Sequence, residues 1–286
     1  MATTVRAAPS ASRLDDIVEL LTGKRVAVVS GAGMSTDSGI PDYRGPDSPP
    51  RNPMTFQQFV GDDEFRRHYW ARNHVGWRHM DAAQPNRGHR ALAALERRGN
   101  VSGVITQNVD MLHTKAGSRR VIDLHGVYAR VTCLDCGRLV SRYTLARRLE
   151  TRNPGFLASV APADGVEIAP DADAVISSTA HFRMVDCEAC GGVLKPDIVY
   201  FGESVPKPRV AEAFDLVDSA DALLVLGSSL TVMSGLRFVR RAAKAGIPIV
   251  VVNRGSTRGD EFASIVSAAG CSETLTGLLD ALPPVH

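Results

Sequence analysis

Five short apolar runs limit what this chain can fold into. They are RVAVVS (25–30), VSGVIT (101–106), DIVYFG (197–202), DALLVLG (221–227) and IPIVVV (247–252). Most are apolar at nearly every position, the pattern of strands covered on both faces. Segments with helical spacing of apolar residues lie between them, near 13–22, 86–98, 208–219, 234–245 and 273–281. Strand and helix in alternation predict an α/β protein with a Rossmann-like, doubly wound parallel sheet.

The alternation breaks twice. Residues 42–85 are rich in Pro, Arg and aromatics, which predicts a partly helical segment over a ligand site. Residues 127–195 carry four of the five cysteines and a Pro/Asp/Ala stretch, which predicts a smaller inserted metal-binding module. The Rossmann-like domain is then 13–126 together with 196–286, and 1–12 is a flexible tail. That tail is Ala/Ser-rich without an apolar core, so it does not read as a secretory signal, and Asp15 and Asp16 argue against a mitochondrial presequence.

Cys133-Leu-Asp-Cys136 and Cys187-Glu-Ala-Cys190 are each followed by glycine. Two such knuckles complete a tetrahedron of thiolates around Zn²⁺, and four thiolates leave no position for water, so the zinc is expected to be structural. Without a secretion signal, the pairs favour metal over disulfides and a reducing cytoplasm. No apolar run approaches the roughly 20 residues of a membrane span. A net charge of +2 with scattered basic residues gives no footprint for nucleic acid.

The first strand runs into VVSGAGMSTDSGIPDYRGP (28–46). Gly31-Ala32-Gly33 begins like a dinucleotide-binding turn, but the third glycine of that fingerprint would fall at Thr36, and no acid stands about 20 residues on to hold a ribose. Gln107, Asn108 and Asp110 follow the second strand, where open α/β sheets bind ligands; Asn108 could equally cap a helix starting at Val109. His125 ends the short run DLHG, and a histidine there suits a general base at neutral pH. Gly227-Ser228-Ser229 and Asn253 end two more strands. Each pattern is also an ordinary turn, and it is their coincidence at one sheet edge that points to a phosphate or ribose site.

Taken in order, GAGMSTDSGIPDYRG, TQNVDMLH, DLHG, the cysteine pairs, KPDIVYFGE, GSSL and VVN resemble the sirtuins, NAD-consuming protein deacylases. The likeness runs from about Leu14 to Leu282. YWARNHVGW (69–77), TKAGSRR (114–120) and the long gap between cysteine pairs resemble the class II branch, and the Arg-heavy composition suggests a bacterial member.

That resemblance implies that NAD lies against Gly31, Ala32 and Gly33, with Ser35 and Arg44 near phosphates and ribose in a loop that includes Asp42 and Tyr43. Nicotinamide would sit near Ile40 and Asp110, Gln107 and Asn108 at the ribose, Gly227, Ser228 and Ser229 along the cofactor, and Asn253, Arg254 and Gly255 at the far ribose. Cys271 would touch adenine through its backbone. An acyl-lysine protein substrate would add a strand beside Val199, Phe201 and Gly202. Its acyl oxygen would attack the anomeric carbon as nicotinamide leaves; His125 would then take a proton from a ribose hydroxyl, with Asn108 orienting that hydroxyl or a water. Tyr69-x-x-Arg72 resembles the pair that selects dicarboxyl acyl groups in one branch. A buried aromatic beside a solvated arginine is the alternative. Mono-ADP-ribosyl transfer and non-enzymatic NAD sensing are the competing functions.

Overall fold

A computed structural model describes residues 13–44, 53–160, 176 and 179–285. The expected tail at 1–12 and much of the stretch between the cysteine pairs lie outside the described residues.

Six parallel strands form the main sheet: β1 (Val26–Ser30), β2 (Val101–Thr106), β3 (Val121–Asp123), β7 (Ala222–Leu226), β8 (Ile249–Val252) and β9 (Ile265–Ser267). Their order is β3-β2-β1-β7-β8-β9, so the winding reverses between β1 and β7. The apolar runs are explained by the layers on either side. Val26, Val28, Leu224, Leu226, Val250 and Val252 pack on α1 (Leu14–Leu21), α4 (Arg87–Arg97) and α10 (Cys271–Ala281). The alternate residues Ala27, Val29, Leu223, Val225, Ile249 and Val251 pack on α8 (Lys207–Asp218) and α9 (Met233–Ala245). A strand with a helix layer on both faces has no polar side. Each fully buried Val, Leu or Ile contributes about 1.5–3 kcal/mol of transfer free energy.

A second sheet is antiparallel: β4 (Gly126–Cys133) lies between β5 (Leu139–Ser141) and β6 (Leu194–Ile198). Here one expectation is corrected. The run DIVYFG does not enter the parallel sheet. Its first residues end β6, which pairs with β4 through Cys133↔Leu194 and Gly126↔Ile198. Pro196 has no N–H to donate to a ladder, which suits it to an edge strand. The boundary expected at 195/196 therefore falls inside β6.

Residues 53–85 are largely helical, in α2 (Phe56–Gly61) and α3 (Asp63–Ala82). Asp62 caps α3, its side chain accepting from the Glu64 and Phe65 amides. The inner face of α3 joins the small sheet in one aromatic cluster. Arg142 of α6 (Arg142–Arg152) locks this contact. Its buried guanidinium lies over Trp70 and Trp77, 5.5 and 4.8 Å from the ring centres, and donates to Asn73 Oδ1 at 3.0 Å. The zinc-knuckle layer and the helical segment are thus packed as one body beside the parallel sheet.

Candidate active site

A cleft of about 590 Å³ opens at the carboxyl ends of the strands where β1 and β7 meet, bounded on its other side by the segment after β6. That is the switch point at which open α/β sheets bind ligands. Its volume falls in the usual range for small-molecule sites.

The glycine turn serves the meeting of two loops. Gly31 N donates to Leu226 O and Gly33 N to Gly227 O, each at 2.9 Å. A Cβ on Gly227, whose φ is +58°, would stand 2.4 Å from Met34 N, and one on Gly33 would stand 2.9 Å from Gly227 Cα. No α-helix follows the turn. Two 3₁₀ turns, Ala32–Met34 and Thr36–Ser38, carry the chain on, and Thr36 Oγ1 returns to Gly33 O at 3.2 Å. With no helix to press against β1, the third glycine of the dinucleotide fingerprint has no role here.

After β2, Asn108 is not a helix cap. Its Nδ2 donates to Gly31 O (3.0 Å) and Ser35 Oγ (3.1 Å), and the next helix, α5 (Leu112–Lys115), starts four residues on. Asp110 precedes that helix, Oδ1 accepting from Leu112 N at 2.9 Å while Oδ2 accepts from Ser35 Oγ at 2.6 Å. Burial pushes the Asp110 carboxyl up, and the hydrogen bonds from Ser35 and Leu112, the Lys115 charge and Asn108 pull it back. Gln107 Nε2 donates to Ser228 Oγ at 2.8 Å, linking the loops after β2 and β7.

His125 sits between β3 and β4. Its Nδ1 lies 2.8 Å from Gln107 O, and a carbonyl can only accept, so Nδ1 carries the proton in the neutral ring. Nε2 is then the free base, and Ser234 Oγ donates to it at 2.8 Å. Burial lowers the ring's affinity for a second proton; the Gln107 carbonyl raises it, and the charges of Arg209 and Arg237 lower it further. Gly235 makes this approach possible, because a Cβ there would be 2.6 Å from Gln107 Oε1.

The four Sγ atoms of Cys133, Cys136, Cys187 and Cys190 lie within 4.8 Å of one another, with Cys133–Cys190 at 3.5 Å and Cys136–Cys187 at 3.8 Å. A tetrahedron with Zn–S bonds of about 2.3 Å has edges of about 3.8 Å. The cage fits zinc and leaves no open coordination position. Gly137 and Gly191 close the knuckles, with φ of +71° and +72° and amides donating to Cys133 O and Cys187 O.

Residues 31–234 match the model of the Sir2 family. The chain belongs to that family. It is 65% identical to NAD-dependent protein deacetylase 1 of Mycobacterium avium (strain 104), over 94% of this chain and 96% of that one. Identity to NAD-dependent protein deacetylase 1 of Streptomyces coelicolor is 52%, over 96% and 91%. Among solved structures, a Sir2 with a p53 peptide and NAD⁺ superposes with a TM-score of 0.74 at 31% identity, covering 94% of this chain and 98% of that one.

In this sirtuin most residues singled out from the sequence line one cleft. They include Gly31, Ala32, Gly33, Ser35, Ile40, Asp42, Tyr43 and Arg44 from the first loop, with Gln107, Asn108, Asp110 and His125. Val199, Phe201, Gly202, Gly227, Ser228, Ser229, Asn253 and Arg254 complete the set. Gly255 and Cys271 do not line it. Gly255 O accepts from Asn253 Nδ2 at 3.0 Å, and Cys271 opens α10 with its thiol buried and pushed up to about 12 by that burial.

Tyr69 and Arg72 are a correction. Tyr69 is 1% exposed among Phe59, Trp70 and Tyr200, with ring centres 5.4–5.7 Å away, and accepts from Asn73 Nδ2 at 3.3 Å. Arg72 is hydrogen-bonded to His68 Nε2 at 3.0 Å. Neither lines the cleft: Tyr69 packs in the aromatic cluster on the small sheet, and Arg72 lies against His68 of its own helix. Sequence reasoning missed Ser234, Arg237, Glu203 and Lys207, which do line it. The available signal was position: each lies in the first two turns of a helix that follows a strand-end loop, or shortly before it.

Proposed function

We infer that this chain is an NAD-dependent protein lysine deacylase, which moves the acyl group of an acyl-lysine to ADP-ribose and releases nicotinamide. The observation that carries the reading is the setting of His125: Nδ1 is committed to Gln107 O, which leaves Nε2 of the neutral ring as the base on the wall of a cleft that also holds Asn108 and Asp110. NAD, when bound, supplies an anomeric carbon whose nicotinamide can depart. Donors and acceptors suited to it are set along the cleft: the Asp110 carboxylate for a carboxamide N–H₂, Gln107 and Asn108 for ribose hydroxyls, Ser228, Ser229 and Asn253 for the distal half.

His125 accepts the proton of a ribose hydroxyl at Nε2 and so makes that oxygen the nucleophile toward the acyl carbon. Asn108 is held by Gly31 O and Ser35 Oγ and orients the hydroxyl or water. The peptide lies as an added strand between Val199–Gly202 and the loop after Ser229. A Cys₄ zinc has no open position, so its part is to hold the small sheet that presents β6. Simple transfer of ADP-ribose to a protein would need the same NAD residues but no base fixed in this tautomer, so the geometry favours deacylation.

Tyr69 and Arg72 do not line the cleft, and its apolar lining includes Met54, Val109, Ile198 and Phe201. An uncharged, acetyl-type acyl group suits that lining. We take residues 13–126 with the chain after β6 as the NAD-binding part, and assign the class II branch on the strings at 69–77 and 114–120. Among the described residues no helix is long and apolar enough to cross a membrane; a reducing cytoplasm would keep the four thiols available for metal. The test is turnover, followed by mass spectrometry, of one peptide carrying acetyl-, succinyl-, glutaryl- or long-chain acyl-lysine with NAD. Acetyl-lysine is expected to be consumed fastest. ADP-ribose on added protein, with every acyl-lysine intact, would replace the reading.

A further inference from the structure

Two helices that open onto the peptide side of the cleft have no acid in their first turn and carry basic residues within their first two turns. A helix N-terminus is the positive end of the macrodipole and favours Asp or Glu in its first turn. Neither α8 nor α9 has an acid there. α8 begins Lys207-Pro208-Arg209, and α9 carries Arg237 as its fifth residue. Lys207 and Arg237 line the cleft, and Arg209 and Arg237 are close enough for their charges to act on His125. Arg258 adds a fourth cation, donating to Thr231 O at 2.8 Å on the loop that leads into α9.

None of the four is paired with a carboxylate among the described residues. Arg209 donates to Leu124 O at 3.3 Å, and Arg237 to Met233 O of its own helix at 3.3 Å. The acid nearest to Lys207 in sequence, Glu203, is already engaged: its Oε2 accepts from Tyr200 N at 2.9 Å and meets the buried Lys195 Nζ at 3.2 Å. These cations flank Val199–Gly202 and Ser229–Met233, the two edges between which the peptide lies. They are not on the glycine turn at the phosphate side. Their charge is therefore placed for the peptide.

We propose that this cationic mouth selects acyl-lysines flanked by acidic side chains, so that the protein substrates of this enzyme present Asp or Glu within a few residues of the modified lysine. The proposal rests on the deacylase reading and names its substrate class. Charges at such a rim act chiefly by steering and by excluding like charge, and salt weakens both.

Three acetyl-lysine peptides test it, identical except that the two residues on each side of the lysine are all Glu, all Ala or all Arg. With the wild-type chain and NAD, kcat/KM is expected to fall in the order Glu, Ala, Arg, spanning about tenfold or more at low salt and narrowing near 0.5 M salt. Lys207→Glu together with Arg237→Glu is expected to reverse the order, read as a ratio so that a general loss of rate does not matter. Lys207→Glu alone is expected to shrink the ratio. Equal kcat/KM for the three peptides, or an acid preference unchanged in both variants, overturns the proposal while leaving deacylation standing. Failure to deacylate any of them would overturn the deacylase reading and this proposal with it.

Discussion

Ser234 Oγ stands 2.8 Å from His125 Nε2, and the opposite nitrogen of the ring is held 2.8 Å from Gln107 O. The two contacts fix the imidazole from both ends, with Ser234 donating to the lone pair that the reaction needs. A donor to the neutral form resists protonation. Ser234→Ala should therefore raise the His125 pKa and move the acid limb of the kcat/KM–pH profile upward, by roughly half to one pH unit for a neutral hydrogen bond of about 1 kcal/mol. Ser234→Thr should restore it. An unmoved limb in the alanine variant would mean that the contact has no bearing on the base.

At Gly33 and Gly227 the loops after β1 and β7 meet backbone to backbone. Adding a side chain at Gly227, where φ is +58° and the Cβ would stand 2.4 Å from Met34 N, must push the two apart. Gly227→Ala is expected to lower thermal stability by about 1–3 kcal/mol and to weaken NAD binding about tenfold or more. Calorimetric titration with NAD checks it.

Acid should destabilise the fold through its buried histidines. His89 is fully buried with neither ring nitrogen hydrogen-bonded among the described residues, and burial lowers its pKa to about 4, with a smaller contribution from Arg90. The unfolded chain binds its proton near pH 6.5 and the folded chain does not until about pH 4. Stability is then lost as pH falls from 6.5 toward 4, by on the order of 3 kcal/mol for this residue. His89→Leu should flatten that slope in melts compared at pH 7 and pH 5.

Cys133 and Cys187 are at once metal ligands and members of the aromatic cluster that includes Phe59, Tyr69 and Trp70. Cys133→Ser is expected to bind less than one zinc per chain and to melt about 5 °C lower or more, with activity lost through the displaced β6. A chromophoric zinc assay on the denatured protein measures the metal. A variant that is zinc-free yet equally stable would contradict a structural role.

What could be read from the sequence follows from which interactions are local. The apolar runs announced a two-faced sheet because each of Val26–Val29 meets a helix layer on one side or the other. The knuckles were legible because each thiolate pair and its closing glycine fall within five residues. Tyr69 and Arg72 misled because one helix face fits either a cleft or a core. A buried arginine of α6, far along the chain, decides it by drawing Trp70, Asn73 and Trp77 inward. Ser234 was invisible for a similar reason: its partner is 109 residues away, and the approach depends on Gly235 lying against Gln107. The run 197–202 read as a buried strand by composition, but pairing, with Pro196 on the edge, sent it to the other sheet.

His125→Ala tests directly whether His125 is the base of an acyl transfer to ADP-ribose. Wild-type and variant chains would be incubated with NAD and an acetyl-lysine peptide, and nicotinamide, free peptide and O-acetyl-ADP-ribose quantified together by mass spectrometry. The wild type is expected to give the three products in equal amounts, and the variant to lose about a hundredfold or more of that rate with its melting temperature and NAD affinity retained. Equal rates of free peptide and O-acetyl-ADP-ribose from a folded, NAD-binding variant would contradict that role for His125.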